Sequence, residues 1–181
     1  KFGLIGHPSE HSLSPALFKA GYDGLYPYAL IETPDFEEAF SVFLKEYDGI
    51  NVTAPFKELA LKKADIISEE CRMIGATNLL VKTADGVKAY NSDYLGLRLW
   101  LSEVSKGMNE RPRVLIVGMG GAGKAAAAAA RSSGYETVLM NRTQYSPEIL
   151  PLSEFCNEFR KSDIIIYNLP VRIPQIDLLS E

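Results

Sequence analysis

The sequence is short of the features that would place it outside the ordinary globular classes. Cysteine is scarce: Cys71 and Cys156 are the only two, far apart and in unlike surroundings, which argues against a disulfide framework and leaves two reduced thiols. Histidine is equally scarce. His7 and His11 stand four apart in a Pro/Ser-rich loop with no further ligand at suitable spacing, so no metal site is expected. No apolar run approaches the ~20 residues of a membrane helix. Basic charge is not in excess: 19 Lys and Arg face 23 Asp and Glu, for a net charge of -4, the wrong sign for a non-specific nucleic-acid binder. No signal-peptide pattern precedes Phe2, and the expected location is the cytoplasm. What the chain does have is 181 residues, 46% of them hydrophobic and 23% charged. That is enough to bury a core unaided, in one large domain or two small ones.

Strand and helix signals alternate along the chain. Phe2 to Gly6 reads as a short buried strand opening into a loop over 7–15, and Pro15 suits the first turn of a helix. Tyr26 to Glu32 predicts a second strand. Phe36 to Glu46 predicts an amphipathic helix with Phe36, Ala39, Phe40, Phe43 and Leu44 as its apolar residues. Gly49 to Thr53 predicts a third strand, followed by a helix from Pro55. Asn78 to Thr83 and Val87 to Asn91, joined at Asp85-Gly86, carry the signal of a hairpin with a tight primed turn. The polar stretch Ser102 to Pro112 marks a domain junction. Beyond it come a strand over Arg113 to Val117, an alanine-rich helix from Lys124 to Ser133 closed by Gly134, and strands over Thr137 to Asn141 and Asp163 to Asn168. The pattern predicts an α/β protein of two domains, 1–102 and 103–181, with a parallel sheet in both halves. The small side chains of Ala125 to Ala130 suit a helix packed closely on a sheet.

Chemistry concentrates first in Asn51-Val52-Thr53-Ala54-Pro55-Phe56-Lys57. An amide, a hydroxyl and an amine gather where a buried strand hands over to a helix, the place where open α/β sheets bind ligands. A lysine held there against apolar neighbours suits acid/base chemistry; a surface lysine in a first helical turn is the plainer reading. Ser12-Leu13-Ser14-Pro15 puts two hydroxyls on one side of an extended segment, suited to a carboxylate at a helix N-terminus, or Ser14 simply caps the helix. Gly75-Ala76-Thr77-Asn78 opens the hairpin and Asn91-Ser92-Asp93 closes it, so Asn78 and 91–93 should lie side by side. Asp93 suits either a helix N-cap or a carboxylate coupled to a lysine.

Gly118-Met119-Gly120-Gly121-Ala122-Gly123 fits G-x-G-x-x-G, directly after a strand and before a helix. The glycines permit the tight turn, the approach of a pyrophosphate and close helix packing, and the helix N-terminus offers free N–H groups. A Gly-rich turn with no ligand and a methyltransferase-type loop are the alternatives. The next strand ends Met140-Asn141-Arg142-Thr143, with an arginine and no carboxylate, which favours a 2′-phosphate and hence NADP over NAD. An unligated surface arginine is the bland counterpart.

Together these pieces resemble the shikimate dehydrogenase family. GHPSEHSLSP, GINVTAPFK, GATN, NSDYLG, VGMGGAGKAA and NRT stand in the family's order and spacing. The resemblance implies an N-terminal α/β substrate domain followed by a Rossmann-like, doubly wound NADP-binding domain. It implies NADPH-dependent reduction of 3-dehydroshikimate to shikimate, on the route to chorismate and the aromatic amino acids. A quinate/shikimate enzyme with relaxed NAD/NADP use, or a non-catalytic regulatory module on the same fold, are the alternatives. By the same resemblance Ser12 and Ser14 bind the substrate carboxylate, and Asn51, Thr53, Asn78 and Asp93 hold the ring hydroxyls. Lys57 and Asp93 form the catalytic pair. Gly118, Gly120, Gly121, Ala122 and Gly123 take the pyrophosphate, and Asn141, Arg142 and Thr143 the adenosine 2′-phosphate. The expected partner is this small-molecule substrate, with no nucleic acid and no membrane, the chain acting as a monomer or homodimer. The chain departs from the family at three places. Gln144-Tyr145-Ser146 stand where a further basic residue is usual, and the stretch from Gln144 to Leu152 is too short for the expected helix and strand. The C-terminal part, with its nicotinamide-side contacts and glutamine-bearing helix, is missing or short in a sequence ending at Glu181.

Overall fold

Buried apolar strands separated by helices fold the chain into two units, Lys1–Ser92 and a second beginning at Asp93. The computed structural model describes residues 1–180. The division falls at the start of a helix, ahead of the polar stretch at 102–112 where the sequence placed the junction.

The first unit runs β1 (Phe2–Gly6), α1 (Ser14–Gly21), β2 (Tyr28–Glu32), α2 (Phe36–Glu46), β3 (Gly49–Val52), α3 (Lys57–Lys62), β4 (Ile66–Ile67), α4 (Glu69–Ile74), β5 (Leu79–Thr83) and β6 (Gly86–Tyr90). Its sheet has the order β2-β1-β3-β5-β6-β4. β1 is parallel to both β2 and β3, but β5 is antiparallel to β3 and to β6. The sheet is therefore mixed rather than parallel as expected, because a hairpin this tight cannot make a parallel crossover. The hairpin turn also differs from expectation. It is centred on Ala84 and Asp85, with Gly86 already the first residue of β6 at φ 120°. Neither Ala84 nor Asp85 has a positive φ, so the turn is not primed.

α2 follows its helical period. Phe36, Ala39 and Phe43 are buried, Leu44 is exposed, and the Asp35 carboxylate caps the helix by accepting from the N–H groups of Glu37 and Glu38. These residues join Ile5, Ile50, Val52, Phe56 and Leu80 in one core, each large side chain contributing about 1.5–3 kcal/mol on burial.

The second unit continues from α5 (Ser92–Val104) through β7 (Arg113–Val117), α6 (Gly121–Ser132), β8 (Glu136–Met140), β9 (Ile149–Leu150), α7 (Phe155–Lys161) and β10 (Ile164–Tyr167). The strand order is β10-β7-β8-β9 and every pair is parallel. α6 lies on β7 and β8 with Ala125 to Ala130 all buried; bulkier side chains would hold it further from the sheet. β8 and β9 are joined by 141–148 without a helix, yet the strand itself is present as a short pair with β8. At the opposite end of β7, Arg113 pairs with Glu136 and with Glu158, which Lys161 also contacts. The Arg113 guanidinium, and then Lys161, hold the Glu158 carboxyl below the usual carboxylate range against the opposing effect of burial. Among the described residues no helix is long and apolar enough to cross a membrane.

Candidate active site

In the first sheet the chain leaves β1 to one side, forming β2, and returns to the other side as β3. The carboxyl ends of β1 and β3 therefore flank a topological switch point, where open α/β sheets leave a crevice. Gly6, the last residue of β1, keeps that crevice tight: a Cβ there would stand 2.3 Å from the Thr53 methyl group. Asn51 and Thr53 project from the end of β3, both half-buried. The Tyr28 hydroxyl donates to Asn51 Oδ1 at 3.0 Å, and the Ser14 hydroxyl hydrogen-bonds the same phenol. Burial raises the Tyr28 pKa while Ser14 opposes the rise, so the phenol stays protonated and able to donate. Ser12 completes the chain, its hydroxyl 3.1 Å from that of Ser14.

Asn78 enters from the other side. Its backbone carbonyl accepts from Val52 N–H at 2.8 Å and from the Asn51 amide at 3.5 Å. Its side chain accepts from Ser92 N–H at 2.8 Å and donates to the Ser92 hydroxyl at 2.9 Å. Thr77, wholly buried, donates to the Tyr90 carbonyl at 2.6 Å and accepts from Leu79 N–H. The N–H of Thr77 in turn reaches the carbonyl of Lys57 at 3.1 Å. Lys57 is the first residue of α3, half-buried, with its main chain fixed one residue away from Asn78. Cys71 lies beneath this region as a fully buried free thiol, its pKa pushed up by burial.

In the second sheet β7 lies between β10 and β8, so the carboxyl ends of β7 and β10 bound a second switch point. Gly118 sits there at φ 91°, and a Cβ on it would come within 2.8 Å of Leu169. Gly123 permits α6 to approach, since a Cβ would stand 1.9 Å from the Gly118 carbonyl oxygen. Gly120 differs: nothing lies within 4 Å of the added Cβ, so its bareness serves open space beside the N-terminus of α6, the place for a pyrophosphate. Asn168 follows β10, and its buried Nδ2 finds no hydrogen-bond partner among the described residues. An orphaned donor beside a bare glycine turn suits a polar ligand. The residues present thus fit a dinucleotide. At the end of β8 the Asn141 side chain accepts from Met119 N–H at 3.3 Å, tying the strand end to the glycine turn. Arg142 and Thr143 are exposed, and Arg142 has no ion-pair partner among the described residues.

The structure brings Ser12, Ser14, Asn51 and Asn78 into one hydrogen-bonded cluster, with Thr53 and Lys57 on the adjoining backbone. Gly118, Gly120, Gly121, Ala122 and Gly123 form one turn with Asn141 against it. Two capping expectations fail. Ser14 is inside α1, after an N-cap at Leu13 that lends no side-chain bond, and Ser12 Oγ accepts the Ser14 N–H instead. Asp93 is likewise past the cap, in the first turn of α5. Tyr28 and Asn168 carry no functional signal in the sequence, and Thr77 and Ser92 stand inside the two hairpin-end segments without a role of their own. For Tyr28 no local signal exists, because its partners lie on other elements; for Ser92 the hairpin geometry pointed to the segment without singling it out.

Residues 4–80 match the family described as the shikimate dehydrogenase substrate binding domain. A shikimate dehydrogenase (NADP(+)) of Caldicellulosiruptor saccharolyticus is 37% identical, over 83% of this chain and 57% of its own length. The corresponding protein of Ignicoccus hospitalis is 32% identical over 98% of this chain and 71% of its own. Among solved structures, a Thermus thermophilus shikimate 5-dehydrogenase in complex with NADP(H) and shikimate superposes with a TM-score of 0.78. It is 30% identical and is matched over 93% of this chain and 67% of that one. The chain spans about half the length of several curated relatives, 51% for the Halothermothrix orenii protein. With the substrate-domain family matched over 4–80 and a 32% identical relative matched over 98% of this chain and 71% of its own length, the chain belongs to the shikimate dehydrogenase family.

Proposed function

We propose that this chain reduces 3-dehydroshikimate to shikimate, with NADPH as the cofactor, and runs the reverse oxidation with NADP. The observation that carries the reading is the β3 strand end, where Lys57 opens α3 and its carbonyl is tied through Thr77 to the segment bearing Asn78. Residues 1–102 serve substrate binding and catalysis and residues 103–181 bind NADP. The protein acts in the cytoplasm as a monomer or homodimer; its two free cysteines suit a reducing compartment.

Ser12 and Ser14 hold the substrate carboxylate with their hydroxyls, and Asn51, Thr53, Asn78 and Asp93 hold the ring hydroxyls. Tyr28, between Ser14 and Asn51, keeps the two groups of donors in register. The cofactor, when bound to Gly118–Gly123, supplies the hydride that reduces the carbonyl carbon. Lys57 gives a proton to the carbonyl oxygen and is left as a neutral amine, and Asp93 is the other member of the catalytic pair. In the oxidative direction neutral Lys57 takes the proton from the hydroxyl. Positioned proton transfer of this kind contributes about 10²–10⁴-fold. Arg142, exposed and without an ion pair among the described residues, supplies the charge that prefers a 2′-phosphate and hence NADP over NAD.

The test is to mix the protein with 3-dehydroshikimate and NADPH and follow the absorbance of the reduced nicotinamide. A substrate-dependent loss of absorbance, faster with NADPH than with NADH, is expected. No turnover with either cofactor would sink the proposal.

A further inference from the structure

We propose that Tyr145 is an aromatic platform on which the adenine base of the dinucleotide stacks; this rests on the NADP reading above and assigns a residue that the glycine turn and Arg142 leave out. With the pyrophosphate at Gly118–Gly123 and the adenosine ribose at the end of β8, the base carried by that ribose falls beside the stretch that follows, 144–147. Tyr145 stands there with its side chain 58% exposed. It is not a loose surface ring. Its hydroxyl donates to the carbonyl of Met119, inside the glycine turn, at 3.2 Å.

The backbone around Tyr145 is pinned as well. The Asn141 amide donates to the Thr143 carbonyl at 3.0 Å, and the Gln144 amide donates to the Ile149 carbonyl at 3.2 Å. With no helix between β8 and β9, these bonds keep residue 145 next to the turn. Gln144, Tyr145, Ser146, Pro147 and Ile149 line a shallow, open recess of about 380 Å³, a surface against which one face of a flat ring can lie. None of these side chains is charged, so the recess suits the flat, neutral face of a nucleobase while Arg142 meets the phosphate. A tyrosine has few torsions to freeze and its tip is already bonded, so stacking costs little order.

The test is calorimetric titration with adenosine 2′,5′-bisphosphate, which carries the base and the 2′-phosphate, and with nicotinamide mononucleotide, which carries neither. Tyr145→Ala should weaken the bisphosphate roughly 5- to 150-fold, the range of base–aromatic stacking. Tyr145→Phe keeps the ring and should lose much less. The mononucleotide should bind both variants as it binds the wild type. Unchanged or tighter bisphosphate binding by Tyr145→Ala overturns the inference, tighter binding meaning that the ring covers the site. Equal losses in the two variants also overturn it, since the bond to Met119 would then be the contribution. A wild type that binds no bisphosphate at all overturns the NADP reading along with it.

Discussion

The two strand-end sites are built from opposite materials. In the second unit the site is made by what is missing: Gly118, Gly120 and Gly123 bare the backbone, and two of them do so because the fold itself fills the space a side chain would need. In the first unit the site is made by side chains from separate segments. Ser12, Ser14, Tyr28, Asn51 and Asn78 are joined by hydrogen bonds that no single element could supply. A backbone site fails when atoms are added, a side-chain site when donors are removed. The two should therefore break under different substitutions.

The sharpest contrast lies within the glycine turn. Gly123→Ala places a methyl 1.9 Å from the Gly118 carbonyl oxygen, and should cost about 3 kcal/mol as α6 backs away from β7, read as a lower midpoint of thermal unfolding. Gly120→Ala meets nothing within 4 Å; it should unfold like the wild type and lose NADP affinity only. If the two glycines behave alike in the unfolding experiment, the steric half of the comparison is wrong.

In the first unit, Thr77→Val keeps the shape and removes the hydroxyl that serves the Tyr90 carbonyl and Leu79 N–H. Taking the acceptor from Leu79 N–H, and one of two donors from the Tyr90 carbonyl, which keeps the Asn78 N–H at 3.3 Å, should cost about 1–3 kcal/mol in denaturant unfolding. A neutral outcome would mean that this unit is not held by its polar side chains. Tyr28→Phe breaks the link between Ser14 and Asn51, worth about 1 kcal/mol. It should raise KM for 3-dehydroshikimate about fivefold and leave NADP affinity alone; a change in cofactor affinity would contradict the division of labour.

The smallest effect tests side chains in the second unit, away from its glycine turn. The Glu158 carboxyl is held below its usual range by Arg113, so its contribution to stability is present above the unfolded-state pKa. It is lost as pH falls through the lower folded-state value. Unfolding followed across the acid range should show Glu158→Gln less stable than wild type near neutrality, with the gap closing as the pH falls. A gap of constant size would remove the ion pair from the account.

The same contrast governed what could be read in advance. The glycine turn was legible because its roles depend on backbone geometry that G-x-G-x-x-G encodes locally. The strands β1 and β7 and the helix α2 were equally plain from their periodicity. Tyr28 was not, since its phenol matters only once β2 is placed beside β1, with β3 on the other side. Asn168 became visible only as a buried donor without a partner among the described residues. The capping role expected of Ser14 failed because α1 starts at that residue, and Ser12 takes its N–H instead. The hairpin is legible in the sequence, but its turn lies one residue earlier than Asp85-Gly86 suggests, because Gly86 pairs with Thr83 rather than turning the chain.

Lys57, at the side-chain site, is the proposed proton donor. The most direct measurement compares 3-dehydroshikimate reduction by wild type and Lys57→Ala at saturating NADPH, with cofactor binding measured on the same samples. A fall in kcat of about 10²–10⁴-fold with NADPH affinity unchanged is expected. Turnover by Lys57→Ala at the wild-type rate would contradict it.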